Sequence, residues 1–136
     1  MFPTSTNLDS LIQATPEAKR DFGFYYKLGT DYASKGDYTN AARMLEKAII
    51  LNPNAVDALV NLSNCYGMIK NYEKNIEMLN RVIAIQPKNV QALGNLAVTY
   101  DLLASSAKQA GNNDKADEYK DKSEEYRDII RELTGK

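Results

Sequence analysis

The stretch LNPNAVDALVNLSNCY, residues 51–66, returns thirty-four positions later as IQPKNVQALGNLAVTY, residues 85–100. Seven residue types recur in register: Pro53/Pro87, Val56/Val90, Ala58/Ala92, Leu59/Leu93, Asn61/Asn95, Leu62/Leu96 and Tyr66/Tyr100. The interval also reaches back into the N-terminal third. Leu28, Leu62 and Leu96 are equally spaced, as are Tyr32, Tyr66 and Tyr100, and a small residue follows each leucine: Gly29, Ser63 and Ala97. A fixed period of this size marks a supersecondary unit that buries its apolar face by stacking on copies of itself.

Inside each unit the apolar and small residues fall at helical spacing. Tyr25, Leu28, Gly29 and Tyr32 follow i, i+3, i+4, i+7, as do Leu59, Leu62, Ser63, Tyr66 and Leu93, Leu96, Ala97, Tyr100. Second helices follow, with stripes of Ala41, Leu45, Ala48, Ile49 and of Ile76, Leu79, Val82, Ile83. Lys35-Gly36-Asp37 and Lys70-Asn71 break the chain within units. Asn52-Pro53 and Gln86-Pro87 break it between units, because proline neither continues a helix nor tolerates helical geometry just before it. Upstream, Thr15-Pro16-Glu17 has the pattern of a helix start, and residues 1–14 read as loosely ordered, with a short turn over Asn7–Gln13.

Helix, turn, helix at this period resembles the tetratricopeptide repeat. The match rests on Tyr25-x2-Leu28-Gly29-x2-Tyr32, Ala41-x3-Leu45, Ala48 and Pro53, with Tyr25 in place of the family's usual tryptophan. The second unit supplies Leu59, Leu62, Ser63, Tyr66, Leu79 and Pro87, but puts Asn75 where a small alanine is expected. The resemblance implies an all-α fold, a right-handed α-solenoid of stacked antiparallel helix pairs. One domain over 15–136 would hold repeats at about 22–55, 56–89 and 90–133.

The third unit is elongated. Tyr32 to Gly36 spans four residues and Tyr100 to Gly111 eleven; the excess of seven is close to two helical turns and keeps the stripe nearly in phase. Its second helix, about Asp114–Leu133, carries Ala116, Tyr119, Ser123, Tyr126, Ile130 and Leu133. This stripe reads as an intramolecular cap, with Glu118–Lys122 as a supporting pair on a solvated face. The other reading is a coiled-coil seam, with Tyr126, Ile129, Ile130 and Leu133 holding a second copy in a homodimer or meeting a neighbouring domain.

By the same resemblance, the first helix of each pair lines a concave groove that holds an extended peptide or a partner helix. The side chains expected there are Tyr26, Lys27, Thr30 and Ser34, then Val60, Asn61, Asn64 and Met68, then Gln91, Asn95, Val98 and Leu102. An asparagine can donate to and accept from one peptide unit, so Asn61 and Asn95 read as backbone contacts or as plain solvated residues. They resemble two rungs of the asparagine ladder of O-linked N-acetylglucosamine transferase, with Lys27 in the place of a third. The clamp with which some family members grip chaperone carboxylates needs Lys, Asn, Asn, Lys and Arg. Here Tyr26, Thr30, Asn61, Gln91 and Asn95 stand at those places, and without cations nothing supplies charge-assisted bonds. The expected ligand is therefore an uncharged or mildly apolar protein segment.

Composition narrows the rest. Seventeen basic against eighteen acidic residues leave a net charge of −1 over 136 residues, with no general pull toward nucleic acid or anionic membrane. A near-neutral concave face also argues against the pentatricopeptide kind of RNA binding. No run approaches the roughly 18 apolar residues that cross a bilayer, and MFPTSTNLDS lacks a basic-then-apolar start, so a cytoplasmic protein without membrane insertion is expected. Cys65 is the single cysteine, at a buried register position, and there is no histidine. The commonest general base and metal ligand is thus missing, as is any Gly-rich phosphate loop; no enzyme activity, catalytic residue, metal or cofactor is expected. Asn61-Leu62-Ser63 matches a glycosylation sequon, but mid-helix it reads as chance. The alternative to a free-standing peptide binder is a scaffolding or regulatory segment of a larger protein, or a self-assembling module.

Overall fold

Asp37 closes one helix and opens the next. The backbone turns at Gly36, whose φ of 80° lies in the left-handed region, and the Asp37 carboxylate then accepts from the Asn40 N–H. The same turn recurs at Lys70 (φ 63°) and Gly111 (φ 82°). Only the second is made by a side-chain-bearing residue, one whose Cβ crowds the following carbonyl. The computed structural model describes residues 5–136, with side chains from Ser10 onward. Among the described residues there are seven α-helices and one 3₁₀ turn, with no strand. The fold is an all-α helical repeat. Its helices fall into two compact units divided after Asn71.

The first unit holds α1 (Ser5–Ala14), the 3₁₀ turn Glu17–Lys19, α2 (Phe22–Ser34), α3 (Tyr38–Leu51) and α4 (Val56–Met68). Helices α2 and α3 pack as a pair, and α4 lies against α3. Gly29 sets how closely the pair approaches. A Cβ there would stand 2.7 Å from Leu45 Cγ, closer than packed atoms tolerate. Leu28, Tyr32, Ala41, Leu45, Ala48 and Ile49 are buried around it, so both expected stripes of this unit face inward.

The second unit holds α5 (Tyr72–Ile85), α6 (Val90–Gln109) and α7 (Asn113–Thr134). Helix α6 has 20 residues where α2 and α4 have 13, which is the elongation read from the Tyr100–Gly111 interval. Helix α7 runs along it. Tyr100 sits 6.0 Å from both Tyr119 and Tyr126, stacked on the latter at 16°. Arg127 bridges to Asp101 at 2.6 Å and also donates to the fully buried Ser123 hydroxyl.

Several expectations need correcting. The short turn expected over Asn7–Gln13 in a loose segment is instead the helix α1; Leu8, Leu11 and Ile12 recur there at helical spacing within a polar composition. The expected residues 1–4 lie outside the described part. Thr15-Pro16-Glu17 opens only the 3₁₀ turn Glu17–Lys19, with no side-chain cap, because the Thr15 hydroxyl donates back to the Leu11 carbonyl at the end of α1. Asp21 caps α2 instead, accepting from Phe24 N–H at 2.9 Å. In α5 the buried positions are Asn75, Met78, Leu79 and Val82, while Ile76 and Ile83 are half-buried. Asn75 is tolerated where an alanine was expected because the buried Thr99 hydroxyl donates to its Oδ1 at 2.8 Å. The Glu118–Lys122 pair is replaced by Lys115–Glu118 and Lys122–Glu125.

Candidate functional site

Capping by Asp21 fixes the first turn of α2 and with it the placement of Phe22 and Tyr26, whose rings stack 5.5 Å apart at 14°. One turn further, the Thr30 hydroxyl donates to the Lys27 carbonyl, and the Ser34 hydroxyl to the Thr30 carbonyl. Lys27 turns outward into an exposed 3.0 Å ion pair with Asp31. From α4, the Asn61 amide donates to the Tyr26 hydroxyl at 3.0 Å, a bond that spans 35 positions of sequence.

Beside this bond lies a cavity of about 230 Å³ within the first unit. Thr30, Asn61 and Asn64 contribute its polar lining; Ala33, Tyr38, Leu45 and Cys65 supply the rest, and no charged side chain takes part. Burial pushes the Cys65 thiol above its ordinary pKa, which keeps it protonated and unreactive near neutral pH. The structure thus gathers three residues of the sequence-derived set, Thr30, Asn61 and Asn64, at one place. It adds four that the sequence did not place in the groove: Ala33, Tyr38, Leu45 and Cys65. Two of those, Tyr38 and Leu45, come from a second helix, whereas only first helices were read for the groove.

The other expected positions are distributed differently. Val60 does not project outward; it is buried in the core. Met68 is exposed at the end of α4. In the second unit Gln91, Asn95, Val98 and Leu102 share one face of α6, with Asn95 half-buried and the other three exposed. Of the residues expected to hold a second copy, Tyr126 is stacked on Tyr100 and Ile130 is half-buried, while Ile129 and Leu133 keep exposed surface. A larger cavity of about 620 Å³ lies along α6 and α7, lined by Asp101, Lys108, Asp117 and Lys120 around Ala104 and Ala116. Asp101 there is held below the usual carboxylate range, chiefly by its hydrogen bond from Arg127, with Lys120 adding to the effect. Among the described residues, no group of three His, Cys, Asp or Glu side chains is placed to hold a metal, and no helix is long and apolar enough to cross a membrane.

A family model for the tetratricopeptide repeat matches residues 32–97. These residues belong to the tetratricopeptide repeat family. The match covers α3 to α5 with parts of α2 and α6. Among solved structures the chain is similar to MamA 41-end from Desulfovibrio magneticus RS-1, at 25% identity and a TM-score of 0.70, covering 96% of this chain and 66% of that one. It is similar to a further MamA crystal structure at 19% identity and a TM-score of 0.62, covering 93% and 88%. It also resembles YrrB, a TPR protein with an unusual peptide-binding site, at 20% identity and a TM-score of 0.62, covering 96% of this chain and 64% of YrrB. The chain therefore spans about two thirds of the MamA 41-end and YrrB chains. A comparison with curated proteins gave no significant match. Tetratricopeptide repeats are generally protein–protein interaction modules, and residues 32–97 share that repeat.

Proposed function

We propose that this is a non-catalytic protein-binding module that holds an extended, uncharged or mildly apolar peptide segment at the cavity of α2, α3 and α4. The carrying observation is the convergence of Thr30, Asn61 and Asn64 on one cavity whose lining holds no charge. A peptide backbone that leaves water must exchange its hydrogen bonds for others, and two carboxamides can both donate and accept. A charged ligand side chain would meet no counter-ion in that lining and would lose its hydration. YrrB, alike in fold, has a peptide-binding site, which supports the same reading here. On α6, Asn95 beside the exposed Val98 and Leu102 offers the second unit a similar mixed chemistry.

A second reading has one observation in its favour. Ile129 and Leu133 on α7 remain 39% and 38% exposed, so α7 retains apolar surface for another copy. Of the four residues expected in that seam, however, Tyr126 is already stacked on Tyr100 and Ile130 is half-buried. Peptide binding is the better supported of the two.

Selection from a random peptide display library tests the proposal. Uncharged sequences with apolar residues should be enriched, and Asn61→Ala/Asn64→Ala should weaken them by roughly tenfold or more, the loss of two neutral hydrogen bonds. Enrichment of strongly charged peptides, or equal binding by the double variant, would overturn it.

A further inference from the structure

The bond from Asn61 to Tyr26 has a role that neither residue shows alone. Asn61 lines the cavity, whereas Tyr26 is not among the lining residues. Yet the Tyr26 hydroxyl accepts from Asn61 Nδ2 at 3.0 Å. Tyr26 is itself held, half-buried and stacked on Phe22 one turn earlier in a helix capped by Asp21. A half-buried asparagine without such a partner samples several rotamers, and a ligand that uses its amide must stop that motion at a cost in free energy. Here one amide hydrogen is already committed to a fixed hydroxyl. The other amide hydrogen and Oδ1 keep a defined direction.

We infer that Tyr26 is a positioning residue for peptide recognition, acting through Asn61 without touching the ligand. The inference rests on the proposed peptide site. The repeat register sharpens it, because the positions one and two periods after Tyr26 are Val60 and Gly94, neither of which has a hydroxyl. The device belongs to the first helix pair. It makes Asn61 the better ordered of the two asparagines, Asn61 and Asn95, that share a register.

Tyr26→Phe removes the hydroxyl and keeps the ring that stacks on Phe22. For an uncharged peptide recovered by the display selection, the variant should bind roughly fivefold more weakly, as expected for one neutral hydrogen bond. In an Asn61→Ala background the same change should alter affinity by less than about twofold, because the two residues act as one unit. In the ligand-free protein, ¹⁵N relaxation of the Asn61 side-chain amide should report an ordered group that becomes mobile in Tyr26→Phe. Equal weakening in both backgrounds, or an amide equally ordered in wild type and variant, would overturn the inference. If wild type recovers no peptide, the binding proposal fails, and the relaxation comparison still decides whether Tyr26 orders Asn61.

Discussion

Replacing Gly29 by alanine adds a single methyl group and separates two opposing effects. Away from any contact, glycine to alanine inside a helix stabilises by about 1 kcal/mol, through the smaller entropy loss on folding. At Gly29 the new Cβ would stand 2.7 Å from Leu45 Cγ, 2.9 Å from Cδ2 and 3.3 Å from the Ala41 carbonyl oxygen. Leu45 is fully buried, and Cγ is the branch point of its side chain, so neither can swing out into solvent. Overpacking of this kind costs about 1–3 kcal/mol, which meets or exceeds the propensity gain and leaves a net loss of up to about 2 kcal/mol. In urea, with an m-value of about 2 kcal/mol/M, the unfolding midpoint should fall by up to about 1 M. Gly94 is the internal control. It lies in α6 with nothing within 4 Å of a built Cβ, so Gly94→Ala should raise the midpoint. Leu45→Ala supplies the second arm, since in that background Gly29→Ala should be neutral or stabilising. A Gly29→Ala variant that gains stability as Gly94→Ala does would show that the first helix pair is not packed at this distance.

Thr99→Val should cost about 1–3 kcal/mol by removing the buried donor to Asn75, and adding Asn75→Ala should recover much of that loss in the same denaturation assay. Lys70→Gly should stabilise by up to about 1 kcal/mol, because glycine accepts the φ of 63° that lysine adopts under strain. Asp101 has a folded-state pKa below its ordinary value, so its contribution to stability is present above about pH 4 and disappears as the pH falls further. With the side chain 45% exposed, solvent limits that contribution to less than about 1 kcal/mol. Asp101→Asn should therefore be slightly less stable than wild type at pH 7, with the difference shrinking as the pH is lowered below about 4, as read by thermal melting across that range.

Much of the fold was legible because its signals are local and repeated. The period, the Gly36 and proline breaks and the seven-residue extension of α6 each depend on residues close together in sequence. The misses depend on partners far away or on conformations a residue type seldom adopts. Asn75 looked misplaced because its partner, Thr99, lies on another helix. Lys70 gave no sign of a left-handed backbone, since only glycine announces one. Thr15-Pro16 had the form of a helix start, but the hydroxyl found a carbonyl behind it and Asp21 took the capping role. The site was half legible. Thr30, Asn61 and Asn64 follow from the first-helix register, while Tyr38 and Leu45 enter from a second helix. The Tyr26 bond required geometry.

The most direct test of the account is a two-dimensional ¹H–¹⁵N titration of the full chain with an uncharged, display-selected peptide. Shifts should concentrate at Thr30, Ala33, Asn61, Asn64 and Cys65, the residues around the uncharged cavity of the first unit. Shifts confined to Ile129 and Leu133 on α7, or along the charged cleft of α6 and α7, would contradict it.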